Sequence, residues 1–198
     1  MFPNHCIKHC ADRPNGLFRG KLLVALCMLT AALCAPEQSS AQEHKPTEYE
    51  VKAAYIYNFA KFVEWPSKKP QRPGAALTVC VLGDDPIGPA LAAIEGKTVR
   101  DRTIMVKGDL SLGEAAACDI LFISSSEQEQ LDRVLDVLAG APVLTIGHAK
   151  GFAGQGGMIN FYRENKTVRF EINLKAAERA GLKISSNLLR IARIVGVQ

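Results

Sequence analysis

Length, composition and charge exclude several classes of protein. The chain has 198 residues and a formal net charge of +4, with 24 Lys and Arg interleaved with 20 Asp and Glu. Because no charged tract stands out, we expect no nucleic-acid partner and no affinity for an anionic membrane surface. The length suits one domain that has a hydrophobic core of its own.

The first 41 residues have the layout of a secretory signal peptide. A basic stretch ending at Lys21 precedes a nearly uncharged segment, residues 22–35, and small residues then lead to Ala41. The alternative is a retained membrane anchor, but a helix needs about 20 apolar residues to span a bilayer. We therefore predict that residues 1–41 are removed after export to the periplasm and that residues 42–198 form the working domain.

Export to the periplasm determines which cysteines remain and which chemical state is expected of them. Of the six in the chain, Cys80 and Cys118 are the two that follow residue 41. In an oxidising compartment these two either form a disulfide bond or remain as buried thiols. The sequence contains no C-x-x-C spacing, so a thiol-exchange enzyme is not expected.

Hydrophobic periodicity predicts alternating helices and strands over most of the domain. The first helix is predicted at 48–64, ends before Pro66 and leads into a charged loop at 67–74. After that loop we predict strands at 77–82, 98–106, 119–123 and 143–146, and a turn at 100–101 breaks the second of them. The helices predicted between these strands lie at 87–94, 111–116 and 126–138. Asp85 caps the first of these helices, and Ser126 begins the third with a capping box to Glu129. This alternation is typical of a mainly parallel sheet covered by helices.

The last third of the chain has a different pattern. Two stretches with strand character, 157–162 and 167–174, flank the polar turn 163–166, which indicates a β-hairpin. Helices are predicted at 175–180 and 186–195. The predicted fold class is α/β: a single compact domain, with a mostly parallel sheet flanked by helices, a C-terminal β-hairpin and a terminal helix.

Catalytic, metal-ligating and cofactor-binding patterns are missing from the sequence. Residues 83–88 follow a strand, but their glycines do not fit G-x-G-x-x-G and two carboxylates stand where a pyrophosphate would lie. The histidines after residue 41 are His44 and His148, too few for a zinc site or a Ser-His-Asp triad. We interpret His148 as a loop residue and predict no catalytic residue, no metal and no cofactor.

One aromatic residue and two arginines suggest a ligand site, although each also has a simpler interpretation. Trp65 is the only tryptophan and follows the first helix, where it either fills the core or lines a pocket. Arg190 and Arg193 lie one turn apart on the predicted terminal helix, where they are either solvated or bind an anionic group. These three residues are the candidate ligand-binding set.

Four segments together resemble the YfiR family of periplasmic regulators. They are EYEVKAAYIYNFAKFVEWP from Glu48, VCVLGDDP from Val79, GGMINF from Gly156 and VRFEINLKAAERAGLKISSNLLRIAR from Val168. The segments occur in the family's order and cover almost the whole predicted domain, so their combination is specific.

The resemblance implies a non-enzymatic regulator with a disulfide bond between Cys80 and Cys118. Its implied partner is the periplasmic part of an inner-membrane diguanylate cyclase, which such a protein holds inactive, lowering cyclic di-GMP and restraining biofilm formation. An outer-membrane lipoprotein that sequesters the regulator, and a second copy of the chain, are further candidate partners. The family's second cysteine pair would fall within residues 148–157, where this chain has no cysteine.

The candidate partner surface is the predicted hairpin together with the residue just before it. Alternation along the second strand places Phe170 on one face and Arg169 and Glu171 on the other. We expect Phe152, Phe161, Arg169 and Glu171 to form an apolar patch with a charged rim. The alternative is that these residues serve only sheet packing. The main rival function is a periplasmic small-molecule receptor or carrier that uses Trp65 and Arg190.

Overall fold

The computed structural model describes residues 45–66 and 75–196. The predicted signal peptide at 1–41 and the predicted loop at 67–74 lie outside these residues. The confirmed fold class is α/β, with a mostly parallel sheet flanked by helices and a C-terminal hairpin.

The first helix, α1, spans Glu48–Phe62 and begins with a capping box. The Thr47 hydroxyl accepts a hydrogen bond from the Glu50 backbone N–H, and the Glu50 carboxylate accepts one from the Thr47 N–H at 2.6 Å. The helix ends two residues earlier than predicted because Val63 pairs with Ile184 in a small antiparallel ladder. This ladder joins β1, Val63–Glu64, to β9, Lys183–Ile184.

Eight strands of the described chain form one sheet, in the spatial order β10-β8-β7-β6-β5-β2-β4-β3. Their bounds are β2 Leu77–Leu82, β3 Thr98–Val99, β4 Arg102–Lys107, β5 Ile120–Ile123, β6 Leu144–Gly147, β7 Ile159–Glu164, β8 Thr167–Asn173 and β10 Arg193–Val195. The run β4-β2-β5-β6-β7 is parallel, whereas β7 and β8 are antiparallel and β10 is parallel to β8. The predicted break in the strand at 98–106 is confirmed as the turn between β3 and β4.

The central strands are buried on both faces, as their continuous apolar sequences require. Val79 and Val81 of β2 belong to the core beneath α1, whereas Cys80 and Leu82 belong to the core on the opposite face. The second core is covered by a 3₁₀ helix at Leu112–Ala117 and by α3, Leu131–Val137. The disulfide bond between Cys80 and Cys118 lies within this second core, and its Cα atoms are 6.1 Å apart.

Two helix starts differ from the sequence prediction. The helix predicted at 87–94 is the single turn α2, Gly88–Leu91, followed by further turns, although Asp85 does accept a hydrogen bond from the Ile87 N–H. The capping residue after β5 is Ser124 and not Ser126: the Ser124 hydroxyl accepts from the Ser126 N–H, and a 3₁₀ helix at Ser125–Gln130 leads into α3. The strand end at residue 123 was predicted correctly, but the Ser126 hydroxyl accepts a hydrogen bond from the Asp84 N–H, and Ser124 caps the helix instead.

The hairpin prediction is confirmed and the terminal helix is shorter than predicted. Strands β7 and β8 are joined by Asn165 and Lys166, both with positive φ, as a tight two-residue turn requires. After α4, Leu174–Arg179, and β9, the last helix α5 spans only Ser186–Leu189. The chain then extends into β10, because its backbone groups pair with the open edge of β8.

Removing the disulfide bond should destabilise the domain without changing its fold. The bond closes a loop with a sequence separation of 38, for which the chain-entropy model gives about 4 kcal/mol of stabilisation. The double variant Cys80→Ala/Cys118→Ala should therefore melt roughly 10 °C lower than the oxidised protein, measured by circular dichroism. The wild-type protein in a strong reductant is the control and should approach the variant. Equal melting temperatures for oxidised and reduced wild type would contradict this role.

Candidate functional site: a buried polar chain beside the hairpin

Several polar side chains meet at the edge of the sheet where the parallel strands end. Asp85 follows β2, His148 directly follows β6 and Arg163 lies near the end of β7. Glu48 and Lys52, in the first turns of α1, lie over the same edge. The carboxyl ends of parallel strands are where open α/β sheets place their ligand sites. The location alone therefore makes this group a candidate site.

The five side chains form a continuous chain of contacts, here called the polar chain. The Asp85 carboxylate is 3.1 Å from Nε2 of His148, and Nδ1 of His148 is 2.9 Å from Nζ of Lys52. Lys52 contacts Oε1 of Glu48 at 2.8 Å, and Arg163 contacts the second oxygen, Oε2, at 3.3 Å. Lys52 is only 3% exposed, so its charge depends on these partners.

The partners of His148 determine its protonation. An ammonium group only donates, so Nδ1 of His148 accepts from Lys52 and Nε2–H donates to Asp85. Burial and the Lys52 ammonium lower the pKa of His148, and the carboxylates of Asp85 and Glu48 partly oppose that change. The hydrogen bond from Lys52 lowers the pKa of Glu48. His148 is therefore neutral and fixed in one tautomer at neutral pH.

Sequence reasoning had missed the polar chain and had assigned His148 to an ordinary loop. The sequence does contain a pattern that could have predicted the burial of Lys52. Lys52 lies at helical spacing with Ile56, Phe59 and Val63, at i, i+4, i+7 and i+11, and all four residues are buried. A lysine within an apolar stripe needs a buried acceptor. The acceptors come from distant strands, so spacing along the sequence does not reveal them.

The predicted partner residues separate into buried and exposed groups. Phe152 and Phe161 are 1% and 2% exposed in the single chain. Phe161 packs against Phe59, with ring centroids 5.8 Å apart, and Phe152 fills the space beside Gly147 and Gly157, where an added Cβ would meet its ring. Phe161 lies in the core beneath α1 and Phe152 lies in the core on the opposite face of the sheet, so the two do not form one apolar patch on the surface.

The two charged residues of the set, Arg169 and Glu171, lie on the face of the hairpin opposite Phe161, together with Tyr162 and Arg193. These four residues are here called the outer hairpin face. Tyr162 and Arg169 are directly opposite in the β7–β8 register, and the side chain of Arg169 is about half exposed. Glu171 is 7% exposed, accepts a hydrogen bond from the Asn160 amide at 3.0 Å and is paired with Arg193. The Arg193 guanidinium also lies 4.1 Å from the centroid of the Tyr162 ring. Packing and pairing thus hold this face in one arrangement.

The candidate ligand-binding residues lie apart. The half-buried Trp65 donates a hydrogen bond to the Asp119 carbonyl at 3.2 Å, next to the ion pair of Arg102 with the Asp119 carboxylate. Arg190 is exposed and donates to Asn187. Arg193 is not on a helix with Arg190 but on β10. The hydrogen bonds of Trp65 and Arg190 therefore lead to different partners, Asp119 and Asn187.

The described residues contain neither a cluster of metal ligands nor a membrane-spanning helix. Within the part of the chain that the structure describes, no group of three or more His, Cys, Asp or Glu side chains has the arrangement of a metal site. No helix among residues 45–66 and 75–196 is long and apolar enough to cross a bilayer.

The fold and this site define an α/β domain with an internal disulfide bond and a supported, charged hairpin. The profile of the YfiR/HmsC-like family matches residues 49–193, which include both of these features. The chain therefore belongs to the YfiR/HmsC-like family, and the resemblance found in the sequence is confirmed.

Two solved structures show more distant similarity. A conserved domain protein from Vibrio cholerae O1 biovar eltor is 12% identical, with a TM-score of 0.48, over 75% of this chain and 60% of that one. An ABC domain in complex with L-Trp from Streptococcus pneumonia is also 12% identical, with a TM-score of 0.43. The match covers 60% of this chain and 55% of the ABC-domain chain. The chain thus spans less than two thirds of either structure's length.

The state of His148 predicts how stability depends on pH. Because the pKa of His148 is lowered in the folded protein, the unfolded chain binds a proton more readily as pH falls through the usual value of 6.5. Stability is therefore complete above that pH and decreases below it. The melting temperature of the wild type should therefore decrease more between pH 7.5 and pH 5 than that of the His148→Gln variant. The glutamine keeps a neutral donor and a neutral acceptor at this position. Parallel curves for the two proteins would contradict the neutral, buried state of His148.

Proposed function

We propose that this protein is a non-enzymatic periplasmic repressor of an inner-membrane diguanylate cyclase. In this role it reaches the periplasm by a cleaved signal peptide, binds the periplasmic part of the cyclase, lowers cyclic di-GMP and restrains biofilm formation. The observation that carries the proposal is membership of the YfiR/HmsC-like family over residues 49–193.

The disulfide bond supports the periplasmic location. A bond between Cys80 and Cys118, buried in the core, is expected of a protein that folds in an oxidising compartment and is rare in the bacterial cytoplasm. These are also the two cysteines that remain after removal of residues 1–41.

The state of His148 supports a role other than catalysis. A general base needs an unoccupied lone pair within reach of a substrate proton. On His148 the lone pair of Nδ1 accepts from Lys52, and Nε2–H is directed to Asp85. Both ring nitrogens therefore have intramolecular partners, and the pairing fixes the loop after β6 to α1.

The proposed contact with the cyclase is the outer hairpin face. Arg169 and Arg193 offer exposed guanidinium groups there, and Phe161 and Phe170, which pair across β7 and β8 and pack against Phe59 of α1, support the hairpin from its other side. Arginine is enriched in protein–protein interfaces. A repressor must also bind the inactive cyclase more tightly than the active one, since equal affinity shifts no equilibrium. A rigid surface is suited to such discrimination because it does not adapt to both states.

Release of the cyclase requires competition for the regulator. An outer-membrane lipoprotein that binds the same surface would reduce the free regulator by mass action, and the cyclase would then become active. A homodimer formed through this face would have the same effect. Both partners belong to the proposal, and neither is needed for repression itself.

A gene deletion complemented with the wild-type gene and with two variants tests repression and its surface together. Deletion should raise cellular cyclic di-GMP, and the wild-type gene should restore the low level. Arg169→Glu should restore it poorly, because reversing an exposed charge weakens a complementary interface by on the order of 1 kcal/mol, or about fivefold in affinity. Arg133→Glu is the matched control: Arg133 is an exposed arginine on α3, away from the hairpin, and its variant should complement fully.

The outcomes separate the two parts of the proposal. No rise in cyclic di-GMP after deletion would refute repression of a cyclase. If deletion raises cyclic di-GMP and both variants restore the low level equally well, the outer hairpin face is not the contact, although repression itself stands. Immunoblots of periplasmic extracts must show equal amounts of each variant.

A further inference from the structure

A small cavity opens beside the polar chain. Its volume is about 210 Å³, below the 300–1,000 Å³ of sites for drug-sized ligands, so it suits a ligand of only a few heavy atoms. Its wall includes four members of the polar chain, Glu48, Lys52, His148 and Arg163, together with Ser125 and two aromatic residues of β7. It lies at the carboxyl ends of parallel strands, the usual position of a ligand site in this class of sheet.

The charges that line the cavity are unequal. Two cations, the Lys52 ammonium and the Arg163 guanidinium, share the single carboxylate of Glu48. The second carboxylate of the polar chain, Asp85, is not part of the wall, because it lies behind His148 and its side chain is only 2% exposed. The wall therefore carries a net positive charge when His148 is neutral.

The hydrogen-bonding groups of the wall are mainly donors. Arg163 has five N–H donors, and its side chain is 62% exposed, so it can turn toward a ligand at little cost in packing. The exposed Ser125 hydroxyl is a further donor on the wall. A carboxylate accepts several hydrogen bonds at once and pairs with a guanidinium through two parallel bonds. Lys52, held by Glu48 and His148, provides a fixed positive charge beside the same space.

We propose that this cavity binds a small carboxylate anion, held by Arg163 and the charge of Lys52 and accepting a hydrogen bond from Ser125. The bound anion shares Arg163 with Glu48 and neutralises the excess positive charge of the wall. This site goes beyond the proposed repression and does not depend on it, because neither the cavity nor its charged wall requires a cyclase.

Binding at this site must be coupled to the proton on His148. The charged and titratable groups around the imidazole are Lys52, Glu48 and Tyr49 from α1, Asp85 from the loop after β2 and Arg163 from β7. An added anion favours the protonated imidazole, so binding raises the pKa of His148. By linkage, the anion then binds more tightly as pH falls.

The test uses acetate as the probe and the two histidines of the processed chain as reporters. NMR titration of the imidazole resonances of residues 42–198 gives the pKa of His148 in sodium acetate and in sodium chloride of equal, millimolar concentration. Acetate should raise the pKa of His148 by about one, which corresponds to roughly tenfold tighter binding to the protonated form. The resonance of His44 is the internal reference and should not respond, and His148→Gln assigns the two signals.

Two variants and a second anion make the test specific. Arg163→Gln should abolish most of the acetate effect, whereas Arg169→Gln, which removes an exposed arginine from the neighbouring strand outside the cavity wall, should retain it. Melting temperatures establish that both variants fold. The proposal is overturned if acetate and chloride give the same pKa, if Arg163→Gln and Arg169→Gln behave alike, or if inorganic phosphate produces the effect and acetate does not.

Discussion

The packing of α1 against the sheet is the interaction on which the rest of the structure depends. One stripe of this helix runs from Glu48 through Lys52, Ile56 and Phe59 to Val63, so its first turns carry charge and its later turns are apolar. The apolar part packs on the hairpin, where Phe59 lies 5.0 Å from Phe170 and 5.8 Å from Phe161 between ring centroids. The charged part is thereby held over the strand ends. A shift of α1 would disturb the polar chain and the hairpin together.

The disulfide bond provides a second constraint, on the opposite face of the same strands. Cys80 lies in β2, and Cys118 lies just before β5, the strand that pairs with β2. The bond therefore reinforces a pairing that backbone hydrogen bonds already form. The cores on both faces and this cross-link restrict the central sheet, whereas the proposed partner surface lies at its margin, on the hairpin and β10. The proposed division is a rigid centre with a charged recognition surface at one edge.

Prediction from the sequence was correct for elements that nearby residues determine, and it was wrong for elements that depend on pairing with distant strands. The strand at 77–82 and the turn at 100–101 were correct because apolar runs and turn residues determine them. The terminal helix was wrong over its second half, since residues 193–195 pair with β8 instead. For the site, alternation correctly separated Phe170 from Arg169, but the burial of Lys52 depends on His148, 96 positions away. Spacing along a chain does not reveal such a contact.

In the proposed function, the folded, oxidised domain represses a cyclase from the periplasmic side of the inner membrane. Purified residues 42–198 can be added to spheroplasts of the deletion strain, whose outer membrane is open and whose inner membrane is intact. Cyclic di-GMP inside the spheroplasts should fall as the protein is added, and the Arg169→Glu variant should require a higher concentration. Cyclic di-GMP that stays constant at a saturating concentration of folded protein would contradict the claim.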